Sequence, residues 1–371
     1  MKDDSADDNV RETSYKDAGV NIDAGNQAVE RIKEHVALTF TPAVLRGLGS
    51  FASFFDIKDI LKIYANPVMV QSADGVGTKI AIAEMAHDFS TIGEDLVSAC
   101  ANDIVVHGAR PYTFLDYIAN DTLDPRIVEE LVAGMARACK RDGIALVGGE
   151  TAEMPGTYTR GSHDLVGLIT GFVDRKMIVD GSSVKPGDIL LGIGSTGLHT
   201  NGYSLARKVL FQQAQMSLDD PVPVRRPGDS DTLKGALLAI HTSYVNPILG
   251  LLEAGSPFKA LAHITGGGLL ENVPRVLPTG VHAVFDPSTW VRPGIFDVIR
   301  EKGNVPLLDM YRTFNMGIGL VIAVAPHEAA SVSADLKKVL PSLPVAPIGQ
   351  IAEGEGSTII LGVTTRRETT A

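Results

Sequence analysis

The chain has 371 residues, 44% of them hydrophobic and 21% charged, which supplies apolar material for two α/β cores and excludes global disorder. The formal net charge of −11 excludes a broad basic face for nucleic acid, while a few local cations or Mg²⁺ still permit a phosphate-bearing small molecule. The two cysteines, Cys100 and Cys139, stand in apolar helix-like stretches without a CxxC spacing, so they read as reduced core thiols of a cytoplasmic protein.

Residues 1–14 read as a mobile acidic tail, with neither the basic start nor the apolar core of a secretion signal. No window has the apolar length needed to span a membrane. Val29, Ile32 and Val36 recur at helical spacing and predict a helix over Ala24 to Ala37. Pro67 to Ser72 predicts a strand running into Asp74-Gly75-Val76-Gly77-Thr78-Lys79, followed by helices over Ile80 to Ala86 and Gly93 to Gly108. Tyr112 to Ala119 predicts a strand, Pro125 to Arg141 a helix stopped by Asp142-Gly143, and Ile144 to Val147 a buried strand ending in Gly148-Gly149-Glu150. Leu165 to Val173 adds a strand, and the turn Lys185-Pro186-Gly187-Asp188 marks a domain boundary near residue 180. Beyond it, strands are predicted at Ile189 to Ile193, Phe258 to Ile264, Gly317 to Val324 and Ala346 to Leu361. Helices are predicted from Tyr203 to Phe211, from Thr242 to Ala254 with an interruption near Pro247, and from Leu269 onward; Gln212 to Asp231 reads as an exposed connection.

The recurring unit is a strand, a glycine-rich loop and a helix, which lets backbone N–H groups approach an anion. In the first loop Asp74 is a hard oxygen ligand for Mg²⁺, Gly75 and Gly77 allow close approach, and Lys79 can neutralise a phosphate. An ordinary Asp-Gly turn followed by a solvated lysine has the same sequence. Asp103, on a helix, and Glu150, beyond a strand, are further carboxylates that could join Asp74 on one Mg²⁺; a surface carboxylate and a capping glutamate are the plainer alternatives.

Gly192-Ile193-Gly194-Ser195-Thr196-Gly197 matches G-x-G-x-x-G after a strand, which raises a nicotinamide oxidoreductase as a rival. The following His199-Thr200-Asn201-Gly202 still reads as loop, so no helix opens on the fingerprint. His263-Ile264-Thr265-Gly266-Gly267-Gly268 offers a histidine for polarisation or proton transfer beside a phosphate-sized loop, or a satisfied core histidine beside a tight turn.

Taken together, six stretches resemble the phosphoribosylformylglycinamidine cyclo-ligase family, in order from residue 15 to the second half of the chain. They are Tyr15 to Asn26, Ser72 to Lys79, Asn102 to Ala109, Val147 to Gly156, Gly197 to Leu205 and His263 to Gly268. The Tyr15 to Asn26 stretch and the chain length favour the cyclo-ligase over related kinases and synthetases of the PurM-like ATP-binding superfamily. The resemblance implies an α/β (α+β) fold of two PurM-like domains, residues 15–180 and 181–371. The sheets of the N-terminal domains would join into the barrel-like core of a homodimer, and the C-terminal domain would be mixed α/β.

It further implies an ATP- and Mg²⁺-dependent enzyme of purine biosynthesis acting on formylglycinamidine ribonucleotide. The nucleotide would contact Lys16, Asp74, Gly75, Val76, Gly77, Thr78, Lys79, Asp103 and Glu150, with Asp74, Asp103 and Glu150 on the metal. Thr200, Asn201, Thr265, Gly266, Gly267 and Gly268 would hold the substrate. His263 is the first choice for polarising the amide or moving a proton, His199 the second, with Asp103 beside them. A small-molecule kinase of the same superfamily and a non-catalytic binding scaffold are the other rivals.

Overall fold

The computed structural model describes residues 14–363; residues 1–13, most of the expected acidic tail, lie outside the described residues. Helix α1 (Ile22–Ala37) starts where the Asn21 side chain accepts from Ala24 N, and it buries Ala28, Ile32 and Val36. A short hairpin, β1 (Val44–Arg46) and β2 (Phe54–Phe55), and helix α2 (Ile60–Ile63) follow. Strand β3 (Pro67–Gly75) leads through one 3₁₀ turn into α3 (Ile80–Ala86) and α4 (Ile92–Val105). Then come β4 (Arg110–Asn120), α5 (Pro125–Asp142), β5 (Ala145–Glu153) and β6 (His163–Asp174). Helix α5 is capped by Asp124, has Pro125 in its first turn, and ends at Gly143 with φ 72°.

These strands form a four-stranded sheet in the order β3-β6-β4-β5, with β4 and β5 parallel and the other pairs antiparallel. Helices α4 and α5 cover one face, and α1 packs outside α5. The α4–α5 approach is close enough that a Cβ on Gly93 would sit 2.0 Å from Leu131 O. The opposite face carries Met69, Leu115 and Leu168 at 56%, 39% and 46% exposure, an apolar sheet surface open in the single chain.

The second half builds a six-stranded sheet from β7 (Ile189–Gly194), β8 (Ala260–His263), β9 (Val281–Phe285), β10 (Ile318–Val324), β11 (Val345–Glu353) and β12 (Thr358–Ile360). Its order is β12-β9-β11-β7-β10-β8, with only β12 and β9 parallel. Strand β10, between β7 and β8, is buried at all seven positions.

Several predicted boundaries shift. Strand β3 extends through Asp74 and Gly75, and β5 continues past Val147 to Glu153, because both have hydrogen-bonded partners along their full length. The helix after Tyr203 changes at Lys208 to a π-helical turn ending at Gln213. Pro247 lies in the first turn of the helix Val245–Glu253, where a missing N–H costs nothing, so that helix is not interrupted. The single span predicted from Ala346 to Leu361 is two strands, β11 and β12. No helix among the described residues is long and apolar enough to cross a membrane.

Candidate active site

Helix α4 is buried almost all round because the first sheet packs on one side and the second half of the chain on the other. Its inward polar residues therefore need partners across the junction. Asn102 Oδ1 accepts from Tyr244 N at 2.9 Å, and its amide donates to Thr242 O at 2.8 Å. Asp95 Oδ1 accepts from His241 N at 2.7 Å. These contacts fix the segment around His241 above the helix.

Asp103, one residue on, faces the same junction. Its Oδ1 lies 2.8 Å from His263 Nδ1 at the end of β8, and its Oδ2 accepts from Ser72 Oγ at 3.1 Å. Asp74 shares the helix-facing side of β3 with Ser72, and its Oδ1 accepts from Gly75 N at 2.7 Å. Burial pushes the Asp74 carboxyl up, and the neighbouring Asp103 charge adds to the rise. Two carboxylates at one partly buried place are what a hard cation would relieve.

His263 Nε2 lies 3.0 Å from His241 Nε2, and the His241 ring stacks on His199 with centroids 4.0 Å apart. His199 has φ 59°, an uncommon conformation for a side chain of this size. Burial holds both His199 and His241 well below the usual imidazole range, so both rings are neutral.

The glycine loop meets the second half directly. Thr78 Oγ1 and Ser204 Oγ are 3.0 Å apart, and a Cβ on Gly77 would lie 3.4 Å from Thr200 O. Asn201 faces Gly266, whose added Cβ would be 3.2 Å from Asn201 Oδ1. Asn272 holds the second glycine loop by donating to the carbonyls of Thr265, Gly266 and Gly268. Gly267 and Gly268 turn toward protein: added Cβ atoms would meet Glu271 at 2.7 Å and Tyr311 O at 2.0 Å. Asp74, Asp103, His263, His199, Thr200, Asn201 and Gly266 thus cluster at the junction.

Three expectations are corrected by this geometry. Lys79 is not open to a phosphate: its ammonium is fully buried, paired with Asp95 Oδ2 at 2.7 Å and donating to Ala239 O at 2.7 Å. Val76 is fully buried as well and acts in packing. Glu150 does not join Asp74 and Asp103 within one chain. It pairs with Tyr117, Tyr117 with Val166 and Val166 with Gly75, one row out of step with Asp74, so the pleat turns it to the opposite face. Two strands also separate β3 from β5. Lys16 belongs to a turn beside the end of β5: a Cβ on neighbouring Gly19 would lie 3.0 Å from Pro155, and Asn21 N donates to Glu153.

Ser72, Asp95, Asn102 and His241 received no role from sequence. Asp95, Ser98 and Asn102 do repeat at helical spacing on a helix otherwise rich in Ala, Val and Leu, and that polar stripe was the available signal. The Gly192–Gly197 loop is not followed by a helix until Tyr203, which leaves no helix N-terminus facing it and removes the physical basis of a dinucleotide site.

Comparison with known proteins identifies the family of both halves of the chain. Residues 56–173 match the N-terminal domain of AIR synthase related proteins, and residues 185–362 match the C-terminal domain. A phosphoribosylformylglycinamidine cyclo-ligase of Brevibacillus brevis is 45% identical over 94% of this chain and 99% of its own length. That of Anaeromyxobacter dehalogenans is 48% identical over 87% and 92%. Among solved structures, a thiamine-monophosphate kinase from Stenotrophomonas maltophilia shares the fold, with a TM-score of 0.66 at 19% identity over 91% of this chain and 96% of its own. Full-length similarity at this level, with both domain models in order, places the chain in the phosphoribosylformylglycinamidine cyclo-ligase family.

Proposed function

We propose that the junction around Asp74, Asp103 and His263 carries out the ATP-dependent cyclisation of formylglycinamidine ribonucleotide to aminoimidazole ribonucleotide, with release of ADP and phosphate. The observation that carries this reading is the Asp103–His263 contact at 2.8 Å, which puts a carboxylate of the first half on an imidazole of the second, beside both glycine loops.

The formyl amide oxygen is a poor leaving group until it accepts the terminal phosphoryl of ATP. The amidine nitrogen then attacks the activated carbon, the C–O bond breaks, phosphate leaves with the oxygen, and the ring closes with loss of a proton. Asp74 and Asp103 would hold Mg²⁺, which supplies neutralisation of phosphate charge. His263, oriented by Asp103, sits to polarise the amide or take the proton. His199, left-handed and enclosed, acts second. Thr200, Asn201, Thr265 and Gly266 line the side on which the substrate would be held. The catalytic gain is alignment and charge stabilisation.

We read the active form as a cytoplasmic homodimer. The exposed Met69, Leu115 and Leu168 support burial of that sheet face against a second copy. Glu150 lies on that same open face, so burying it against a second copy would put Glu150 in the subunit interface, on the partner's side of the junction. The test is incubation with ATP, Mg²⁺ and formylglycinamidine ribonucleotide, scored for aminoimidazole ribonucleotide. A phosphorylated, uncyclised end product would replace this reading with a kinase.

A further inference from the structure

We propose that His241 is a positioning residue for His263, linking it to Thr200 so that the proton lost at ring closure reaches His263 through Thr200 and His241. The proposal rests on the reading of His263 as the group that takes this proton. Both nitrogens of His263 are already occupied by protein: Nδ1 lies 2.8 Å from Asp103 Oδ1, Nε2 lies 3.0 Å from His241 Nε2, and the side chain is 2% exposed. No free lone pair on this ring is left to meet a substrate atom, so a proton has to arrive through a neighbour. On the far side of His241, Nδ1 lies 3.4 Å from the hydroxyl oxygen of Thr200, which lines the side assigned to the substrate.

The proton positions follow from which groups can only accept. An ionised Asp103 accepts and does not donate, so His263 carries its proton on Nδ1. With one proton on each ring, His263 Nε2 is bare, and the 3.0 Å contact is an N–H···N bond donated by His241 Nε2. His241 Nδ1 is then bare in turn and accepts from the Thr200 hydroxyl. The Asn102 amide also lies 3.4 Å from His241 Nε2, but it is committed to Thr242 O at 2.8 Å. The same contacts satisfy the state after transfer. The substrate N–H bond breaks and its proton joins the Thr200 oxygen; the original Thr200 proton passes to His241 Nδ1; the proton on His241 Nε2 passes to His263 Nε2. His263 ends as an imidazolium against the Asp103 carboxylate, and His241 ends neutral in its other tautomer, now donating to Thr200. No ring has to turn, and a long bond such as the one at Thr200 tightens when substrate is in place. His241 is held for this role: its backbone N–H donates to Asp95 Oδ1 at 2.7 Å, and the His199 ring stacks on its face with centroids 4.0 Å apart. Burial disfavours charge on His241, so it hands the proton on to the ring that Asp103 can neutralise.

The first measurement is ¹⁵N NMR of the histidine rings in the full-length protein without substrate. Protonated-type shifts are expected at His263 Nδ1 and His241 Nε2 and an unprotonated-type shift at His241 Nδ1, each assigned by its loss in a variant. A proton on His241 Nδ1 in this state would overturn the chain. The second is single-turnover ring closure with ATP, Mg²⁺ and formylglycinamidine ribonucleotide. His241→Gln keeps an N–H that can hold His263 but cannot pass a proton through. It should slow closure about 100-fold, as should His241→Leu, with nucleotide affinity unchanged. Thr200→Val should slow closure likewise and Thr200→Ser should restore it, which tests the chain even where a His241 variant does not fold; thermal melts establish folding. Wild-type closure in folded His241→Gln or Thr200→Val would overturn the relay, as would slowing in His241→Leu alone, which would leave His241 merely orienting His263. Undiminished closure in His263→Ala would overturn the reading of His263 itself. Slowed closure in His263→Ala beside wild-type closure in His241→Gln would overturn the relay and leave that reading standing.

Discussion

Lys79 Nζ and Asp95 Oδ2 lie 2.7 Å apart with neither side chain exposed to solvent. The same pair holds the segment Ala239–His241, through Ala239 O on the lysine and His241 N on the aspartate. Burial lowers the lysine and raises the aspartate, which marks the cost of enclosing both charges. Lys79→Met should therefore destabilise the protein by about 3–5 kcal/mol in urea unfolding, because Asp95 is left alone in the interior. The double variant Lys79→Met/Asp95→Leu should recover a large part of that loss. If the two single losses simply added, the pair would not be coupled.

His263 and Asp103 separate two steps of the reaction. His263→Ala should lower the rate of aminoimidazole ribonucleotide formation by about 10²–10⁴-fold while nucleotide affinity holds, since the imidazole serves proton movement or polarisation. Asp103→Asn should lower ATP turnover itself, because the residue is read as touching both the metal and the histidine. The two readouts are ring product and ADP. An unaffected ring-closing rate in His263→Ala removes that histidine, and unchanged ATP turnover in Asp103→Asn removes the metal assignment.

Much of the first half was legible from periodicity: Ile32 and Val36 are buried on α1 as their spacing predicts, although Val29 is exposed and Ala28 completes the buried stripe in its place; β9 and the helices from Gly294 to Val339 were not read. The glycine loops at Gly75–Gly77 and Gly266–Gly268 were legible from composition. What the sequence hid was phase. Reading β5 as ending near Val147 left Glu150 free to point anywhere, whereas its continuation to Glu153 fixes the side chain by a two-residue alternation. Lys79 was misread because a lysine after Gly-Thr has the same sequence whether solvated or buried, and only the three-dimensional approach of Asp95 distinguishes them. His241 stands in an irregular segment with no motif, so its contacts with His263 and Asp95 exist only after long-range packing.

Asp116 gives a pH dependence. It is buried on the helix-facing side of β4, and burial pushes its carboxyl up to about 7 from an ordinary 3.8. Between those values the folded chain keeps a proton that the unfolded chain has lost. The contribution is therefore full below the unfolded value and disappears as pH rises through about 7. The slope is on the order of 1 kcal/mol per pH unit in that window. Asp116→Asn, which stays neutral, should flatten the wild-type decline in urea stability between pH 5 and pH 8. Parallel curves for the two proteins would show that Asp116 ionises normally.

Glu150 tests the dimer and the metal site together. In one chain it lies on the sheet face opposite Asp74, at the far edge of the order β3-β6-β4-β5. If burial of that open face against a second copy carries Glu150 to the partner's junction, Glu150 serves the partner's site rather than its own. Glu150→Gln and Asp103→Asn homodimers should then each be impaired. After the two are unfolded together, mixed equally and refolded, half of the dimers are hybrids. In each hybrid one site combines the intact Asp103 of one chain with the intact Glu150 of the other, so about a quarter of wild-type activity should return. If both residues act in the same chain's site, each hybrid has two damaged sites and no activity returns. Leu168→Asp, placed on the open apolar face, should give a monomer by sedimentation and abolish the recovery; a dimer unaffected by it would mean the subunits meet elsewhere.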